Sequence, residues 1–287
     1  MDIGVVYPQI ELDGRPDAVR RFALAAEELG YDHLLAYEHV LGAVHERQPP
    51  LEGPYDERDP FHDPFVMFAY LAGITERLRF ATGVLVLPMR PTALVARQAA
   101  DLDLLSGGRL RLGVGVGWNP VEYEALGQDF HRRGARQEEQ IGLLRRLFDE
   151  PVVDFTGDFD RIDRAALVPK PSGQIPIWLG GAGARAYDRA ARLGDGFIFF
   201  GGGAEHAIGA WDALRRQVAD AGRPVEGFGG DYVALSGGDP DVLVREIDAW
   251  REAGGTHVSV ATMRLGLDSL DAHLAFIADL AARLDLR

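Results

Sequence analysis

The sequence predicts an α/β protein, a single (β/α)8 or TIM barrel over residues 1–287, with one insertion after the second strand and another before the fifth. Three observations carry this reading. Apolar, strand-like runs alternate eight times with amphipathic helical stretches. The runs are continuously apolar, the pattern of a parallel sheet covered by helices. A chain of 287 residues suits eight such units closed into a barrel better than an open sheet.

The elements follow in order. Strands are expected near 3–8 (IGVVYP), 33–40 (HLLAYEHV), 79–88 (RFATGVLVLP), 109–117, 175–180 (IPIWLG), 196–200 (GFIFF), 231–235 (DYVAL) and 257–263 (HVSVATM). Helices are expected over 17–29, 64–75, 92–104, 135–149, 184–193, 205–221, 240–253 and 269–284. Residues 41–63 form a long polar loop after the second strand, and 150–174 read as a short hairpin turning at TGD before a Pro-rich link.

The fourth strand carries an unusual glycine pattern, LSGGRLRLGVGVGW over 105–118. A dinucleotide-binding turn needs glycines at unequal spacing between a strand and a helix. Here Gly113, Gly115 and Gly117 recur at every second residue, so they share one face of an extended chain. Glycine inside a strand marks a bend or a close approach. Barrel curvature alone and room for a ligand both remain open from the pattern itself.

Composition narrows the function. The net charge of −14 and pI near 5.0 make nucleic-acid binding a poor expectation, since that rests on neutralising phosphates. There is no cysteine, hence no disulfide, thiolate metal site or cysteine nucleophile. No run of about 18 apolar residues suggests a membrane span. The start, MDIGVVYPQI, shows neither a basic n-region nor a cleavage site, and a cytoplasmic location is expected.

In such a barrel, chemistry sits on the loops after the C-terminal strand ends. His33 and His257 open their strands and belong to the opposite, structural face. Glu38 and His39 close the second strand, where a carboxylate beside an imidazole can supply an acid, a base or hydrogen bonds to a bound ring. The histidines show no His-x-His spacing, so no metal is expected. No nucleophile elbow or Walker loop occurs. Gly180, Gly181, Ala182 and Gly183 stand before one helix, and Gly201, Gly202 and Gly203 before the next. Small residues there leave N–H donors open to a phosphate, and tight turning explains them equally. Tyr7, Tyr37, Phe61, Phe65 and Trp118 are candidates for an apolar pocket, and also for plain core.

AYEHVLG (36–42), ATGVLVLPMRPTALVARQAADLDLLSGGRLRLGVGVGW (81–118) and IPIWLGGAGARAYDRAARLGDGF (175–197), in this order and spacing, resemble the bacterial luciferase-like flavin and deazaflavin oxidoreductases. The resemblance spans nearly the whole chain and looks closest to the branch that uses coenzyme F420. It implies a cofactor ring at the top of the barrel, against strands two to four. His39 would contact or polarise that ring, and Glu38 would orient His39 or relay a proton. Gly83–Val84 would be a cis peptide behind the ring, and Val116, Gly117 and Trp118 would run along its edge. The phosphate would meet Gly180, Gly181 and Ala182, with help from Gly201 and Gly202.

Two departures matter. The GGG loop lacks the basic residues that members acting on sugar phosphates carry. Trp118 stands where some members place a catalytic carboxylate, and neither Glu122 nor Glu124 falls on that position. The implied function is hydride transfer between F420 and a small, largely apolar organic substrate. One alternative is an FMN-dependent monooxygenase fed by a separate reductase. Another is a non-catalytic flavin-binding barrel, against which the Glu38–His39 pair and both glycine loops argue. Helices 240–253 and 269–284 are the expected surface of a homodimer.

Overall fold

A computed structural model of the chain describes residues 1–235 and 238–286. Its strands and helices are β1 (Asp2–Val6), α1 (Pro16–Glu28), β2 (His33–Ala36), α2 (Pro64–Ala72), β3 (Arg79–Thr82), β4 (Leu85–Val86), α3 (Thr92–Ser106), β5 (Leu110–Gly115), α4 (Pro120–Ala125), α5 (Arg133–Asp149), β6 (Val153–Thr156), β7 (Arg161–Ala165), β8 (Ile177–Gly180), α6 (Ala184–Leu193), β9 (Gly196–Phe200), α7 (Gly203–Asp220), β10 (Gly229–Ala234), α8 (Pro240–Glu252), β11 (His257–Ala261) and α9 (Leu270–Arg283). Parallel pairing runs β3-β2-β1-β11-β10-β9-β8-β5-β4, and β3 also pairs with β5, so the sheet closes on itself. This is the expected (β/α)8 barrel.

Both insertions stand where expected. β6 and β7 pair antiparallel ahead of β8. Their turn is fastened from α5, where Glu139 accepts the N–H groups of Asp158 (2.7 Å), Phe159 (3.0 Å) and Asp160 (2.8 Å). Sequence placed no helix at 120–125. The Asn119 side chain caps α4 through the Val121 N–H at 3.0 Å, with Pro120 at its first position. The third barrel position, expected as one strand over 79–88, is two short pieces broken at Gly83–Val84, whose peptide is cis as the resemblance implied.

The barrel interior settles the glycine pattern. A Cβ on Gly113 would lie 1.9 Å from the Thr82 carbonyl oxygen, and one on Gly115 would lie 2.4 Å from a Val84 methyl. The other Val84 methyl would lie 2.6 Å from a Cβ on Gly180, and a Val86 methyl 2.7 Å from one on Gly117. The Thr82 main chain and the side chains of Val84 and Val86 therefore occupy the room those glycines leave. Val84 separates Gly115 and Gly180 from the cavity that Val84, Gly117 and Trp118 line.

The lower interior is charged. Arg111 Nη2 donates to Asp231 Oδ2 at 2.6 Å, and Ser259 Oγ donates to the same oxygen at 3.0 Å. His33 Nε2 meets Ser259 Oγ at 2.8 Å. The Arg111 guanidinium lies 4.5 Å from the Trp178 ring centroid, and Trp178 packs edge-on against His257. His33 and His257 thus take the structural positions expected of strand-opening residues. Complete burial works against ionising Asp231, yet Arg111 and His33 hold its carboxyl well below the usual range. Burial, reinforced by Arg111, lowers His33 and pushes His257 down to about 2.

The outer faces of α8 and α9 are charged. α8 presents Asp241, Arg245, Arg251 and Glu252 to solvent, and α9 presents Asp271, Asp279 and Arg283. The exposed face of α2 is instead apolar: Val66 at 69% exposure, Ala69 and Tyr70 at 47%. No helix among the described residues is long and apolar enough to cross a membrane.

Acid titration follows from the buried imidazoles. Below about pH 6.5 the unfolded chain takes up a proton on His257 that the folded chain refuses until about pH 2. Proton uptake by the unfolded state makes stability fall as pH falls. The wild type is expected to lose about 2 kcal/mol through this one site between pH 7 and 5, measured by urea unfolding. His257→Gln is expected to flatten that slope.

Candidate active site

The top of the barrel holds a cavity of about 590 Å³. Its deep wall comes from Gly83, Val84 and Val86 on one side and Gly117, Trp118 and Tyr123 on the other. Tyr37, Glu38 and His39, from the exit of β2, complete that wall. Pro54 and Tyr55 of the long loop cover it, and Phe200, Leu235, Met263, Arg264 and Leu265 close the far side.

His39 is held from behind. Its Nδ1 lies 2.9 Å from Glu122 Oε2. Glu122 Oε1 accepts the Val40 N–H at 2.6 Å and the Leu41 N–H at 3.2 Å. A carboxylate accepting from three directions fixes the His39 proton on Nδ1, so neutral His39 carries its lone pair on Nε2. No described group bonds Nε2. Rings hold the imidazole at its sides: Phe61 at 4.8 Å, Tyr55 at 5.4 Å and Trp118 at 5.5 Å between centroids, all edge-on. The loop lies flat on Trp118 because residue 53 is glycine, where a Cβ would stand 2.1 Å from the indole. Burial pushes the Tyr55 phenol up to about 12, so it is a neutral hydroxyl here.

Glu38 does a different job from the one expected. Its carboxylate accepts the Val86 N–H at 2.5 Å and the Arg90 Nε–H at 2.8 Å, with a second, short bond from Arg90 Nη2. Arg90 also donates to Asp63 at 2.6 Å, and Asp63 caps α2 through the Val66 N–H at 3.0 Å. Burial raises the Glu38 carboxyl, and the Arg90 charge and the Val86 amide draw it back down. Orienting His39 falls to Glu122. The reason is geometric: neighbours on a strand exit point apart, and Glu38 turns to β4 while His39 turns to α4.

The other expected residues divide. Gly83, Val84, Gly117 and Trp118 line the cavity. The Val116 carbonyl accepts the Tyr123 hydroxyl at 2.6 Å, and Val116 does not line the cavity. Gly180 lies beneath Val84. Gly181 and Ala182 are exposed at the start of α6, and Gly201 and Gly202 turn into α7. None of these five lines the cavity. Neither helix has a side-chain cap, so their first N–H groups are open. Glu205 in the first turn of α7 opposes an anion there. Of the candidate aromatics, Tyr37 and Trp118 line the cavity, Phe61 flanks His39, and Tyr7 and Phe65 are core. No cluster among the described residues offers three metal ligands.

Sequence reasoning set Glu122 aside and did not single out Arg90 or Arg264. The Asn-Pro-x-Glu run at 119–122 is a helix-start signal that would have placed Glu122 on a helix opening onto the site.

A closed barrel with a histidine at the exit of its second strand and an apolar cavity above defines a class, which comparison identifies. The chain belongs to the luciferase-like monooxygenase family, whose model matches residues 3–235. It is 31% identical over 222 residues to an FMNH2-dependent dimethylsulfone monooxygenase of Pseudomonas fluorescens, covering 75% of this chain and 57% of that one. It is 30% identical over 223 residues to an F420-dependent glucose-6-phosphate dehydrogenase of Mycobacterium tuberculosis, covering 74% of this chain and 62% of that one. Among solved structures, an F420-dependent secondary alcohol dehydrogenase in complex with an F420-acetone adduct superposes with a TM-score of 0.80 at 16% identity, covering 97% of each chain. That last likeness is one of fold.

The division of labour between the two glutamates is testable. Glu38→Gln removes one partner of a buried ion pair and is expected to cost about 3–5 kcal/mol of stability, measured by urea unfolding. An unchanged midpoint would show that Arg90 does not depend on Glu38.

Proposed function

We propose that this chain is an oxidoreductase that moves a hydride between coenzyme F420 and a small, largely apolar organic substrate. The observation that carries the reading is the His39–Glu122 pair, with Nε2 of His39 unengaged at the wall of the cavity. Hydride transfer to a carbonyl, or from an alcohol, needs a proton delivered or taken at the substrate oxygen. Nε2 is placed to do that, and Glu122 stabilises the imidazolium formed on taking the proton.

The residues present fit such a cofactor. The cavity is large enough for a planar ring and a small substrate. In this reading Gly83, Val84, Gly117 and Trp118 would flank the ring, and Gly181, Ala182, Gly201 and Gly202 would offer backbone N–H groups to its phosphate. The cofactor supplies the redox chemistry; the protein buries and orients it. Trp118, Tyr55 and Phe61 keep water from His39, and Trp118 and Met263 give the substrate an apolar wall.

The FMN-dependent alternative has support of its own in the 31% identical FMNH2-dependent relative, and it would require a separate reductase. A cytoplasmic setting suits either reading. The homodimer implied by the resemblance belongs to the proposal too, moved from α8 and α9 to the apolar face of α2. Sedimentation at micromolar concentration is expected to give twice the chain mass, and a monomer would remove that part.

Titrating the cofactor-free protein with F420 and with FMN tests the main reading. Tight binding of F420 alone is expected; tight binding of FMN alone would transfer the protein to the monooxygenases, and binding of neither would defeat both readings. Once a substrate is found by screening alcohols and carbonyl compounds, His39→Gln is expected to lower turnover by about 100-fold without changing cofactor affinity. Equal turnover in that variant would remove His39 from the mechanism.

A further inference from the structure

Among the lining residues of the cavity, the carboxylates, imidazole and guanidinium are Glu38, His39, Glu122 and Arg264. The first three satisfy one another or Arg90: Glu38 is paired with Arg90, and His39 with Glu122. Arg264 stands apart. No carboxylate among the described residues lies within ion-pair distance of its guanidinium, whose one hydrogen bond is a short one from Nη2 to the Pro54 carbonyl. Arg264 is solvent-exposed, and no described protein group bonds its Nε or Nη1.

The position of that guanidinium is built. Arg264 follows β11 in the left-handed region, at φ 62°, where a residue other than glycine is uncommon. Glu11 holds the backbone there, its Oε1 accepting the Arg264 N–H at 2.7 Å. Glu11 bonds the Arg264 main chain and lies beyond ion-pair distance of the guanidinium, whose charge still draws down a carboxyl that burial raises. The guanidinium then lies 5.2 Å from the centroid of the Tyr55 ring, which braces it over the cavity. Around it the cavity is apolar: Leu235, Met263, Leu265 and Phe200. A fixed cation with two unused donors, set at the edge of an apolar wall, matches an amphiphile with one anionic end.

We propose that Arg264 receives a carboxylate of the substrate, so that the substrate class of this site is a small aliphatic or aromatic carboxylate. The word substrate here rests on the proposed function; the carboxylate site itself does not. The same guanidinium chemistry would also suit a phosphate or carboxylate of the cofactor. Position favours the substrate. The wall expected to flank the ring comes from β3 to β5, whereas Phe200 ends β9, Leu235 follows β10, and Met263, Arg264 and Leu265 follow β11.

The test uses cofactor-free protein and two probes of equal shape, 3-phenylpropanoate and its neutral amide, titrated calorimetrically into the wild type, Arg264→Gln and Arg264→Lys. The wild type is expected to bind the carboxylate about tenfold more tightly than the amide, the effect of one charge-assisted contact. Arg264→Gln is expected to lose that preference while keeping its affinity for the amide, and Arg264→Lys to keep part of it. Equal affinity of the wild type for both probes, no binding of either at millimolar concentration, or a preference that survives Arg264→Gln would each overturn the proposal. A second arm titrates F420 and FMN into Arg264→Gln. Unchanged cofactor affinity is expected, and a tenfold loss would assign Arg264 to the cofactor and overturn the substrate assignment. Failure of the wild type to bind either cofactor would defeat the proposed function alone, because the probe titration is read without one.

Discussion

The Glu122 carboxylate is the interaction on which the site depends. It is buried at 1% exposure, yet it meets His39 and two backbone N–H groups of the chain leaving β2. A buried carboxylate is costly unless its lone pairs are engaged. Here the engagement ties α4 to the exit of β2. The helix that carries Glu122 begins where Asn119 caps it, so local capping chemistry determines where the carboxylate lands. Glu38, one residue before His39, makes a second tie to β4 and, through Arg90, to the start of α2. Between them the two glutamates fix the exit of β2 from both sides, and the imidazole inherits that rigidity.

The barrel interior shows the same economy in apolar form. Val84 fills the space left by Gly115 and Gly180, on two neighbouring strands, and lines the cavity as well. A larger residue at either glycine would have to displace it. The lower interior is ordered by charge rather than by shape, with Arg111, Asp231, Ser259 and His33 in a single chain of contacts. The barrel thus has a polar floor and an apolar roof, and the cavity lies on the apolar side.

Much of this was legible in the sequence. Eight strand–helix alternations, both insertions and the structural places of His33 and His257 follow from period and position. His39 was legible because a strand end places a residue at the mouth of a barrel. The division between Glu38 and Glu122 was not, since it depends on which way two adjacent side chains turn and on a helix more than eighty residues later in the chain. Gly113 and Gly115 were read correctly as part of a strand, while what needs the room beside them was left open. Period two reveals that something needs room, and only the packing of Val84 says what. Arg264 was invisible for a related reason: its significance comes from Glu11 and Tyr55, which the fold alone brings to it.

Residues 41–63 cover the cavity without being free along their length. Gly42 lies flush against the Asp56 backbone and Gly53 flush against Trp118, while Pro54 is held by Arg264. These three contacts act as pins. Within the stretch between the two glycines, His45 is a further pin, its Nε2 2.8 Å from the Tyr55 carbonyl and its ring edge-on to Trp118, whereas residues 46–50 are exposed. Anyone seeking to reshape the cavity by grafting a different cover has the exposed run 46–50 to exchange, with His45 kept as the tie to Tyr55 and Trp118. The barrel can then stay untouched while the cover is exchanged.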